Sequence, residues 1–65
     1  MRIRDCKLGD KIRIGSFEYI VTDISDPNNF GIQAFYEDSR SLGKPIYGCM
    51  SATIDEIIKT YKVRK

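Results

Sequence analysis

The chain has 65 residues, 42% hydrophobic and 31% charged, with four Tyr, three Phe and a formal charge of +2. That length and composition exclude a disordered polymer and a second domain, and predict one small domain over residues 1–65 with a thin core. No apolar run approaches the roughly 18 residues of a membrane span, and the basic opening Met1-Arg2-Ile3-Arg4 leads into no apolar signal core, so no membrane contact is expected.

The first clear element is a hairpin over Lys11 to Ile24. Gly15-Ser16 between two alternating β-rich runs is a two-residue turn signal, with Gly at the first central position of a type II′ turn. Taken literally, the turn sets Ile14 opposite Phe17, Arg13 opposite Glu18, Ile12 opposite Tyr19 and Lys11 opposite Ile20. One face then collects Ile12, Ile14, Phe17, Tyr19 and Val21 as the core side. The other carries Lys11, Arg13, Glu18 and Thr22, with Arg13 and Glu18 as a cross-strand ion pair on the wet side. Ile20 and Ile24 fall on the nominally polar face, so either a bulge turns them inward or something covers them.

Asp26-Pro27-Asn28-Asn29 is a turn cluster leading to a third strand over Phe30 to Tyr36. The polar stretch Glu37 to Pro45 lacks an apolar period and is expected to be a mobile connecting loop, with a fourth strand over Ile46 to Met50. Thr53-Ile54-Asp55-Glu56 is a capping box, predicting one or two helical turns over residues 53–58. A period-2 pattern follows, and a final strand over 60–64 is favoured; the competing reading continues the helix to the end. The fold class expected is all-β, a small five-stranded barrel with one short helical turn before the last strand.

The order of these elements, together with Leu8-Gly9-Asp10-Lys11-Ile12-Arg13-Ile14 at the opening and the helical turn at Thr53 to Ile58, resembles an SH3-like small β-barrel over residues 8–64. The resemblance is architectural and names no specific family. It implies binding modules broadly, with first and last strands side by side. The chain has no Trp, and the acidic signature of signalling SH3 domains is absent, so proline-motif recognition is not implied.

Two cysteines, Cys6 and Cys49, and no histidine leave no zinc-type ligand spacing, no Ser-His or Cys-His pair, and no side chain tuned for proton transfer at neutral pH. So sparse a cysteine count predicts reduced thiols in a cytoplasmic setting. Catalytic, cofactor and metal residues are therefore expected to be none. The charges are uneven. Residues 1–13 carry a net +3, residues 14–58 a net −5 and residues 59–65 a net +4. With first and last strands adjacent, Arg2, Arg4, Lys59, Lys62, Arg64 and Lys65 would converge on one basic pole, a candidate anion or nucleic-acid patch. The same charges also read as solvated surface, and the isoelectric point near 8.6 is below that of dedicated nucleic-acid modules. Phe35, Tyr47, Ile20 and Ile24 are apolar residues left over from a thin core and are the candidate protein interface. The leading expectation is a non-enzymatic binding protein that contacts another protein, or a second copy of itself as a homo-oligomer. Small accessory or inhibitor proteins of phages and mobile elements have this character. Nucleic-acid or nucleotide-phosphate binding through the basic pole is the alternative.

Overall fold

A computed structural model describes residues 1–36 and 41–61. Among these, the chain is all-β: β1 (Asp10–Ile14), β2 (Phe17–Asp23), β3 (Gly31–Tyr36), β4 (Ser41–Ile46) and β5 (Glu56–Thr60). All pairings are antiparallel, in the order β4-β3-β2-β1-β5, so the last strand lies against the first. β4 and β5 are the sheet's two edges, and the sheet does not close into a barrel.

The β1–β2 hairpin has the register its turn dictates, with Ile14 opposite Phe17, Arg13 opposite Glu18, Ile12 opposite Tyr19 and Lys11 opposite Ile20. Gly15 supplies the positive φ that the two-residue turn requires, at 60°. Directly paired residues share a face. The pairings therefore gather Ile12, Tyr19, Ala34 and Ile57 on one side of the sheet, with Val21, Ile32 and Ile46 beside them. Lys11, Ile20, Gln33, Pro45 and Lys59 fall on the other.

A second layer, outside the five strands, covers part of the first face. Residues 1–6, containing a 3₁₀ turn at Ile3–Asp5, run beside residues 50–54. The Ile3 and Arg4 amides donate to the carbonyls of Ala52 and Met50, and the Ile54 amide donates to Met1. This layer lowers Ile3, Cys6 and Ile54 onto Ile12, Val21 and Ile32, and those six residues are the buried core. The layer stops short of the hairpin tip. Burial consequently falls along the strands, from fully buried Ile12 and Val21 to Phe17, which is 68% exposed.

Several expectations are corrected. The helical turn is at Ile3–Asp5, not at 53–58. A capping box acts only on local hydrogen bonding, whereas β1 offers residues 56–60 a whole edge, and the Asp55 amide donates to the Arg13 carbonyl at its start. The last strand is correspondingly Glu56–Thr60, four residues earlier than the pattern suggested, and residues 62–64 of the expected strand lie outside those described. The fourth strand is Ser41–Ile46, not Ile46–Met50. Residues 41–45 of the expected loop are therefore ordered strand, formed because β3 pairs with them despite Gly43 and Pro45. Residues 37–40 of that loop lie outside those described.

Candidate functional site: an aromatic groove at the hairpin end

The uncovered end of the core face forms an open groove of about 440 Å³. Phe17 and Tyr19 enter from the start of β2, Ala34 and Tyr36 from the end of β3, and Ile46 from the end of β4. Ser16, Glu18 and Phe35 complete the lining. Phe17, Tyr36 and Ile46 are all exposed, at 68%, 55% and 39%. The floor is low because the residues behind the rings are small. A Cβ at Gly43 would meet the Cβ of Ala34 at 3.3 Å and the Tyr36 ring at 3.4 Å, so Gly43 and Ala34 together keep bulk out of the slot. The volume lies within the roughly 300–1,000 Å³ of typical ligand pockets, and the lining is mostly apolar as such pockets are.

The ion pairs of the hairpin lie on the opposite face. Glu18 accepts from Lys11 Nζ at 3.2 Å and from Arg13 at 3.5 Å, and Arg13 also pairs with Glu56. The hydrogen bond from Lys11, with that residue's charge and the neighbouring Arg13, holds the Glu18 carboxyl below its ordinary range. Lys11 was expected on the wet side, yet only 5% of its side chain is exposed. Its ammonium lies 4.5 Å from the centroid of the Phe35 ring as well as against Glu18. A buried lysine needs such partners, and the alternation of the strand alone could not reveal them.

The residues singled out from the sequence are distributed as follows. Ile20 is only 7% exposed and is not available as an interface. Ile24 packs against the core, because the register shifts between Val21 and Asp23 and turns it inward. Phe35 is half-buried, its ring facing Lys11 and lying 6.3 Å from that of Tyr61. Tyr47 is exposed at 49%, but its hydroxyl donates to Asp23 at 2.8 Å and its ring lies over Gly31. The bond to Asp23 pushes the Tyr47 phenol up, so it stays protonated at neutral pH. The groove residues Phe17, Tyr36 and Ile46 were missed. Phe17 was assigned to the core because it shares the core face; what the alternation could not supply was where the covering layer ends.

The basic pole is divided among the described residues. Arg2 and Arg4 belong to the layer over the core face, where Arg2 forms a bridge with Thr53. Lys59 stands on the other face, opposite Lys11, with its ammonium 5.2 Å from the Tyr61 ring. Lys62, Arg64 and Lys65 lie outside the described residues. Both cysteines are free thiols, and burial, with Asp10 and Asp5 nearby, pushes the Cys6 thiol up. Among the described residues no group of three or more His, Cys, Asp or Glu could hold a metal ion, and no helix is long and apolar enough to cross a membrane.

No protein-family model, no curated protein and no solved structure matches the chain.

Proposed function

We propose that the chain is a non-enzymatic binding module that takes a segment of a protein partner into the groove walled by Phe17, Tyr19, Tyr36 and Ile46. The observation that carries this reading is the exposure of Phe17 and Tyr36 on the same sheet face as the core. Folding has no use for two large rings left uncovered side by side, while interfaces concentrate their energy in such rings. The absence of histidine and the raised Cys6 thiol support the non-enzymatic part. An SH3-like architecture belongs to the same reading, as an open sheet in place of a closed barrel. Its support is the order β4-β3-β2-β1-β5, a meander whose last strand returns to the first. Phosphate binding by a basic pole has less support, since Arg2 and Lys59 stand on opposite sides of the sheet.

The test is a peptide-display selection against the immobilised chain, followed by titration of the enriched peptides on parent, Phe17→Ala and Tyr36→Ala proteins. Each substitution is expected to weaken binding tenfold or more, as for an interface hot spot. Failure of any peptide to enrich, or equal binding by both variants, overturns the assignment.

A further inference from the structure

We propose that the groove selects a large, uncharged aromatic side chain, presented by a short segment of the partner. This rests on the protein-binding reading above and adds the chemistry of the residue that enters. Three rings, those of Phe17, Tyr19 and Tyr36, line the groove with Ala34, and Gly43 leaves room beside Ala34 and the Tyr36 ring. A slot with ring walls matches a planar side chain, because ring–ring contact adds to the burial of area.

Charge complementarity points the same way. Among the described residues no cationic side chain lines the groove, and the Glu18 carboxylate lies with Lys11 and Arg13 on the opposite face of the sheet. An ionised side chain would find no counter-charge among the described lining residues to offset its desolvation. A neutral side chain forgoes nothing.

Size argues against the other obvious occupant, a second copy. A stable dimer buries about 800 Å² on each partner. Such an interface takes about 20–30 residues a side, whereas eight of the described residues line the groove. Pairing through the sheet edges is blunted as well. Pro45 interrupts the donors of β4, and the register shift opposite Lys11 and Ile12 leaves Ile58 as an extra residue in β5.

The chain contains no tryptophan, so indole emission reports the ligand alone. The probe is the blocked pentapeptide Ala-Ala-Trp-Ala-Ala, titrated with the intact chain to millimolar concentration, with Leu-centred and Arg-centred versions as competitors. A saturable blue shift is expected, with the Leu and Arg peptides competing at least tenfold less well. Phe17→Ala and Tyr36→Ala, both at exposed positions, are expected to reduce affinity tenfold or more while leaving the circular dichroism spectrum unchanged. If the Arg or Leu peptide binds better and that binding needs Phe17, the aromatic selectivity is overturned while the groove remains a peptide site. If no peptide's binding depends on Phe17, both proposals fall. Sedimentation showing a dimer that Phe17→Ala dissociates would assign the groove to a second copy and also overturn the inference.

Discussion

Gly31 shows how much a single position can decide. The ring of Tyr47 rests on its backbone, and a Cβ there would lie 2.7 Å and 2.9 Å from two ring carbons and 3.1 Å from the Cβ of Asp23. The ring can swing away, but doing so takes its hydroxyl from Asp23, and the crowding against Asp23 remains. Gly31→Ala is therefore expected to destabilise the chain by about 1–3 kcal/mol, the usual cost of overpacking. In the Tyr47→Ala background the same change should cost measurably less, because the ring contacts are gone. Urea titrations of the four proteins in this double-mutant cycle check the coupling. Strictly additive costs would mean that the ring does not bear on Gly31.

At the scale of elements, the hairpin was legible and the final strand was not, for the same physical reason. Gly15-Ser16, the alternation on either side, and the charges of Arg13 and Glu18 are all local, and all favour one register. The capping box at Thr53 and Glu56 is local too, but residues 56–60 are governed by the edge that β1 leaves open, a fact that lies more than forty residues away. Gly43-Lys44-Pro45 lacks strand formers and becomes strand only through β3, where the Gln33 side-chain amide also donates to the Gly43 carbonyl at 2.7 Å. The hairpin's polar face carries its own prediction. Glu18 is held below the ordinary carboxylate range when folded, so its contribution is present above the unfolded value of about 4.3 and is lost as pH falls through the folded value. Stability measured by urea titration from pH 7 down to pH 3 is expected to decline below about pH 4.5. Glu18→Gln should start lower at pH 7 and decline less steeply. A parallel decline in both proteins would remove Glu18 from the account.

Across the whole molecule, one face of one sheet is divided between a covered core and an open aromatic groove. Six residues, from Ile3 to Ile54, form the buried core where the covering layer lies, and the rings of Phe17 and Tyr36 begin where it stops. Both sets share a face by register, so period alone could not separate them; only the extent of the layer does. The division predicts opposite responses to truncation. Ile12 is fully buried, and Ile12→Ala should cost about 2–5 kcal/mol. A chain of this size rarely holds more than about 3–5 kcal/mol in total, so this variant is expected to be largely unfolded at 37 °C. Ile12→Val, costing about 0.5–1.5 kcal/mol, should remain folded with a lowered melting temperature. Phe17→Ala and Tyr36→Ala remove comparable apolar bulk from exposed positions and are expected to shift stability by no more than about 0.5 kcal/mol. Thermal unfolding followed by circular dichroism separates the two groups directly. Should Phe17→Ala melt as early as Ile12→Ala, the groove would be part of the core that holds the sheet together, and its rings would no longer be free for a partner.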